Sequence, residues 1–197
     1  VPGAGLLPYT PAMPVWIPNL ITVARLFAVP VFVILLLDGN MTAAVWVFVG
    51  AGVSDALDGF LAKRFDAAST LGAYLDPIAD KALLLAAFIT LGAIAEVPVW
   101  LVVMIVFRDL IIVGGALLYH TVTHALTMEP LGVSKLNTAV QIALASAALA
   151  RLGLGWDLGL VEALLIYAAA GTTALSGLAY IWVWGHRYAA YERRDEG

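Results

Sequence analysis

Four aspartates, Asp55, Asp58, Asp76 and Asp80, fall within 26 residues of chain that is otherwise almost wholly apolar. A carboxylate at the centre of a bilayer costs roughly 2.5–3.5 kcal/mol even on the permissive insertion scale, so four of them need a strong compensating charge. Carboxylate-only donor sets suit hard divalent cations such as Mg²⁺ or Mn²⁺, and the absence of cysteine removes any thiolate site. Four carboxylates suffice to hold two ions about 4 Å apart, the arrangement that stabilises both the attacking and the leaving oxygen in a phosphoryl displacement.

The spacing supports that chemistry. At 3.6 residues per turn, Asp55, Asp58, Gly59 and Ala62 share one stripe of a helix. Gly72, Asp76 and Asp80, at intervals of four, share a stripe of the next. Consecutive helices joined by a short turn are antiparallel neighbours, so the two acidic stripes are expected to face each other and form a carboxylate box open to one side of the membrane. Gly59, Ala62 and Gly72 are small where the acids cluster, which lets a bulky phosphate ligand approach the backbone. Two other readings compete: buried ion pairs with Arg25, Lys63, Arg64 and Lys81, and an ion pathway. The acids outnumber the bases on their own stripes, and no paired repeats or broken helices of a transporter are found.

These residues sit in an integral membrane protein. Of 197 residues 62% are hydrophobic and 12% charged, with a mean hydropathy of +0.96, whereas about a quarter of a soluble domain is charged. The net charge of −4 is dominated by the intramembrane acids, and nothing points to a nucleic-acid partner. Spanning the hydrocarbon takes about 20 apolar residues. Six stretches qualify: 19–37, 42–64, 69–94, 98–120, 134–152 and 159–185. The expected organisation is an all-α six-helix bundle over 19–185, preceded by an N-terminal segment 1–18 and followed by a solvated tail 186–197. Val15 to Ile17 are expected to lie along the interface as a short anchor. The first residue is Val1, which suggests a truncated start, with Met13 a candidate natural one. With six spans, Lys63, Arg64, Lys135, Arg187, Arg193 and Arg194 collect on one side and only Arg151 on the other. Both termini and the box are therefore expected to be cytoplasmic.

The run Asp55-x-x-Asp58-Gly59-x-x-Ala62-Lys63, eight residues, Gly72-x-x-x-Asp76-x-x-x-Asp80 resembles the signature of the CDP-alcohol phosphotransferase family. One position departs: the family's Arg is Lys63 here, followed by Arg64, so either of two adjacent cations is expected to meet the nucleotide phosphates. Pro18-Asn19 to Arg25, Leu75 to Lys81, Arg108-Asp109 and Ser134 to Gln141 are similar to the CMP-forming cardiolipin synthase branch. The resemblance implies six transmembrane helices, a homodimer, a cytoplasm-facing polar cavity and two divalent metals on Asp55, Asp58, Asp76 and Asp80. It further implies Asp80 as general base, CDP-diacylglycerol as donor, phosphatidylglycerol as acceptor, and a setting such as the bacterial inner membrane.

The remaining polar residues fit a headgroup cavity. Asn19 is expected at the nucleotide, and Arg25 at a phosphate or snorkelling to lipid headgroups. Arg108 lies midway along its span, where snorkelling is hard, so a ligand contact is favoured over a buried pair with Asp109. Ser134, Asn137, Thr138 and Gln141 are expected on one face beside Lys135, lining a cavity or bonding a neighbouring helix. From Glu96 to Ala150 the only Lys or Arg residues are Arg108 and Lys135. Two cations suit a phosphodiester better than a phosphomonoester dianion, which favours phosphatidylglycerol over glycerol 3-phosphate. His120 and His124 stand four apart, but without a third ligand they read as interfacial.

Overall fold

The computed structural model describes the backbone of residues 16–65, 70–123 and 131–195, with side chains over 20–57, 79, 81–115 and 131–186. Every element in those ranges is helical: α1 Trp16–Leu37, α2 Met41–Phe65, α3 Thr70–Ala93, α4 Val99–Thr123, α5 Gly132–Leu154 and α6 Gly159–Asp195. The six expected spans thus correspond to six helices, with two differences at the ends. Trp16 and Ile17 belong to the first turn of α1. Pro18 is tolerated there because an N-terminal turn has no use for its missing N–H. At the other end α6 runs on to Asp195, ten residues past the expected stop at 185, so the tail from 186 begins as helix.

Three of the helix ends use the same device. Gly39 (φ 76°) closes α1, with its N–H on the Leu36 carbonyl and that of Asn40 on Leu35. Gly155 (φ 71°) closes α5, its N–H meeting the carbonyl of Ala150. After α3 the left-handed position is filled by Ala95 (φ 62°), whose N–H reaches Gly92 while that of Glu96 reaches Leu91. Each is a reversal that satisfies carbonyls left open at a helix end, and glycine normally occupies it because a Cβ is strained there.

The chain divides into two compact units, residues 1–86 and 87–197. In the first, α1 packs on α2. Thr22, Arg25, Phe32 and Leu36 of α1 and Ala44, Val45, Phe48 and Ala51 of α2 are buried, and the Phe32 and Phe48 rings meet at 5.8 Å between centroids. In the second, α6 packs against both α5 and α4. Alanines at 145, 148 and 169 are buried; small side chains let helix backbones approach closely where lipid offers no hydrophobic drive to association.

The polarity runs inside out relative to a soluble bundle. Leu160, Leu164, Leu175, Leu178 and Trp182 of α6 are exposed, while Glu162, Thr173 and Ser176 are buried. Exposed apolar stripes of this extent belong against lipid. Among the described residues, Leu20–Leu37, Gly132–Leu154 and Gly159–His186 are long and apolar enough to cross a membrane. This is a multi-pass membrane protein.

Candidate active site

Within the first unit, α1 delivers Arg25 to Asp55 of α2, with Nη1 donating to Oδ1 at 2.7 Å. The Arg25 side chain is 1% exposed and that of Asp55 43%. Arg25 therefore does not snorkel: it turns inward at the edge of the α1–α2 core and neutralises a carboxylate that stays open to its surroundings. Two of the carboxylate–base pairs weighed from the sequence are present among the described side chains, this one and Arg108–Asp109, the latter ranked there below a ligand contact.

Asp58, Gly59, Ala62, Lys63 and Arg64 lie further along α2, Gly72, Asp76 and Asp80 on α3, and Asn19 on α1; their side chains lie outside the described residues. The same holds for His120, while His124 falls outside the described backbone. Among the described residues no group of three His, Cys, Asp or Glu side chains is placed to hold a metal. The donor chemistry nevertheless fits a hard cation. Asp55 commits one oxygen to Arg25 and, being part-exposed, keeps acceptor capacity, and the other three candidates are carboxylates at helical spacing.

Within the second unit, Arg108 of α4 is buried, with 5% of its side chain exposed. Its Nη1 donates to Asp109 Oδ1 at 2.5 Å. Its Nε and Nη2 both donate to Ser176 Oγ of α6, at 3.1 and 2.6 Å, and Nη2 also reaches Ser134 Oγ of α5. Around this contact α6 is shaped to the arginine. A Cβ on Gly177 would stand 3.7 Å from Arg108 Cγ, and the Tyr180 ring centroid lies 6.0 Å from Cζ. The stem thus runs over bare backbone and the cation lies near an aromatic ring.

The polar track continues along the α5–α6 seam. Asn137 Oδ1 accepts from Thr172 and Thr173 at 2.8 and 2.9 Å, and Gln141 Nε2 lies 3.5 Å from the Thr173 hydroxyl. Asn137 is fully buried, and its Nδ2 has no partner among the described residues. The expected polar face of α5 is therefore Ser134, Asn137 and Gln141. Thr138 is exposed and bonds back to the Ser134 carbonyl, and Lys135, also exposed, takes no part in the network.

Sequence reasoning missed two things. Thr172, Thr173 and Ser176 were absorbed into an apolar span, although polar groups at i, i+1 and i+4 on one helix mark a face that needs partners. Arg151 was counted as a lone base. It donates through Nε to Glu162 Oε2 at 2.6 Å, and through Nη2 to Glu162 Oε1 at 3.1 Å and Glu96 Oε2 at 2.8 Å. The available signal was two glutamates at the ends of neighbouring spans.

The chain is thus a multi-pass helical membrane protein with a clustered-carboxylate motif and a hydroxyl-lined buried arginine. Residues 15–175 match the family model described as CDP-alcohol phosphatidyltransferase, and the chain belongs to that family. It is similar to the "Cardiolipin synthase (CMP-forming)" of Rattus norvegicus, 34% identical over 180 residues, covering 83% of this chain and 60% of that one. The same-named protein of Homo sapiens is 32% identical over 180 residues, with the same coverage of each chain. At comparable identity stands the "Probable phosphatidylglycerophosphate synthase" of Mycobacterium tuberculosis, 33% over 169 residues, covering 83% of this chain and 78% of that one. The chain spans about 60% of the length of the rat and human relatives.

Proposed function

We propose that the protein transfers the phosphatidyl group of CDP-diacylglycerol to phosphatidylglycerol, giving cardiolipin and CMP. The observation that carries the acceptor assignment is Arg108: a buried guanidinium whose charge is already met by one carboxylate and most of whose donors go to two hydroxyls, a site better suited to a phosphodiester than to a phosphomonoester dianion. Rat and human relatives named as CMP-forming cardiolipin synthases support the same reading.

Asp55, Asp58, Asp76 and Asp80 would hold two Mg²⁺ or Mn²⁺ ions. When bound, these supply charge neutralisation at the donor pyrophosphate and at the departing CMP. The other steps fall to the chain's own groups. Gly59, Ala62 and Gly72 leave the backbone accessible to the nucleotide, Lys63 or Arg64 meets its phosphates, and Asn19 lies near it. Arg25 holds Asp55 in place and serves the phosphate side of the cavity. Arg108, with Lys135 at the rim, retains the phosphodiester of the acceptor. Asp80 accepts the proton of the acceptor's glycerol hydroxyl as that oxygen bonds to the phosphorus carrying diacylglycerol; the bond from this phosphorus to the CMP oxygen breaks, and CMP leaves. The six helices would cross the membrane with both termini and the polar cavity on the cytoplasmic side, in a homodimer.

The test is purified protein with labelled CDP-diacylglycerol and either phosphatidylglycerol or glycerol 3-phosphate, with the lipid product identified by mass. Cardiolipin formation that stops with chelator and returns with Mg²⁺ or Mn²⁺ is expected. Asp80→Asn should abolish turnover while donor binding persists. Product with glycerol 3-phosphate alone would replace this reading with phosphatidylglycerophosphate synthesis, the alternative raised by the M. tuberculosis relative. Metal flux into liposomes without CMP release would instead support an ion pathway.

A further inference from the structure

A guanidinium carries five N–H donors, and the protein engages four of those on Arg108. Ser176 Oγ is chelated by Nε–H and one N–H of Nη2, Ser134 takes the other N–H of Nη2, and Asp109 takes one on Nη1. The Nε/Nη2 side edge of the guanidinium, one of those able to grip a phosphate with two parallel bonds, is therefore closed by a single buried hydroxyl. One N–H of Nη1 remains, beside Asp109, whose side chain is 22% exposed against 5% for the arginine. Ser176 itself is fully buried, so nothing but Arg108's own edge competes for it from outside.

We propose that Ser176 is a positioning residue that sets acceptor specificity by occupying the bidentate edge of Arg108. The inference rests on the reading that Arg108 meets the acceptor. A phosphodiester carries one charge and is held adequately by a single charge-assisted bond. A phosphomonoester dianion needs several donors. Closing the side edge therefore costs a monoester acceptor more than a diester. Gly177 and Tyr180 flank the same arginine on α6, at its stem and near its cation.

Removing the hydroxyl leaves Nε–H and one N–H of Nη2 without their acceptor and frees the guanidinium to turn them towards a ligand. In Ser176→Ala, the ratio of kcat/KM for glycerol 3-phosphate to that for phosphatidylglycerol should rise at least about tenfold, with the KM for CDP-diacylglycerol unchanged within a few-fold. Ser176→Cys keeps a slightly larger side chain of the same shape but a weak acceptor and should raise the ratio in the same direction. Ser176→Thr restores the hydroxyl and should return the ratio to that of the wild type. A purely structural role would lower both acceptors in parallel. An unchanged ratio in the Ala and Cys variants of a protein that does make cardiolipin overturns the inference and leaves the proposed function standing. A wild-type protein that makes no cardiolipin overturns the acceptor assignment beneath it.

Discussion

Two arginines of the second unit are held in opposite ways. Arg151, a third exposed, meets two carboxylates through three hydrogen bonds, leaving the cluster with one excess negative charge. Arg108, far more buried, meets one carboxylate and otherwise neutral hydroxyls. If stability alone governed both, the deeper cation would have the fuller compensation, since removing a charge from water is the larger cost. Arg151 has an ordinary structural explanation. It stands in the last turn of α5 and Glu162 in the first turn of α6, each at the helix end whose dipole favours its charge, and Glu96 adds the α3–α4 connection. Arg108 has no second carboxylate: Asp109 matches its charge one for one, and its other bonds go to neutral hydroxyls, which on the proposed reading leaves the acceptor a donor to meet.

Truncating each arginine should separate these roles, and the largest effect is expected at Arg108. Arg108→Ala should lower kcat/KM for phosphatidylglycerol by about a hundredfold or more, as loss of a buried hydrogen-bonded charge contact costs roughly 2–5 kcal/mol. Affinity for CDP-diacylglycerol should stay within a few-fold in a two-substrate titration. Arg151→Ala should leave the acceptor kinetics near normal and lower the apparent unfolding midpoint in detergent. An Arg151 variant that lost acceptor use at unchanged stability would break the contrast.

The two glutamates grade the clamp. Glu162, 8% exposed, accepts two of the three bonds, whereas Glu96 is 30% exposed and accepts one. Glu162→Gln should cost on the order of 2 kcal/mol, because it weakens a fork to a largely desolvated acid. Glu96→Gln should cost under about 1 kcal/mol, in the range of exposed pairs. Thermal unfolding of the two variants side by side decides the order, and equal losses would mean that the clamp's strength does not follow burial.

Much of this was legible in the sequence because the membrane imposes few options. Apolar runs of about 20 residues between Gly, Pro and charged breaks located all six helices, with the ends of α2 to α4 placed within a few residues. The carboxylate motif named the family through its fixed spacing, which tertiary packing does not alter. What escaped were pairings between distant positions. Ser176 lies 68 residues from Arg108, and Glu162 and Glu96 lie 11 and 55 from Arg151. Periodicity assigns each to a face of its own helix but not to a partner on another. Ser and Thr are especially quiet, since a hydroxyl in a span can always return its proton to the carbonyl four residues back, as Thr172 does to Ala168. The extra length of α6 was hidden for a related reason: the charge run that suggested a solvated tail is compatible with helix.

The smallest effect tests the backbone that presents Glu96. At the ends of α1 and α5 the left-handed residue is glycine, whereas after α3 it is Ala95, immediately before the glutamate that meets Arg151. An L-residue in this conformation costs roughly 1–2 kcal/mol, because its Cβ crowds the following carbonyl oxygen. Glycine relieves that strain but gives back part of the gain, about 0.4–1 kcal/mol, through its greater freedom in the unfolded chain. The balance predicts that Ala95→Gly stabilises the protein by somewhat under about 1 kcal/mol, read as a rise of a few degrees or less in the unfolding midpoint. Acceptor preference, which on the proposed reading depends on Arg108, should not move. A fall in the midpoint would mean that the Cβ of Ala95 makes a packing contact worth more than its strain, and that the α3–α4 turn holds Glu96 through the side chain as well as the backbone. In the double variant Ala95→Gly/Glu96→Gln the two changes should add if the turn and the clamp are independent; neighbours that share a turn are where additivity fails first. A non-additive result of about 0.5 kcal/mol or more would show that the strained turn and the Arg151 clamp act as one unit, with the backbone geometry at Ala95 maintained by the ion pair it serves.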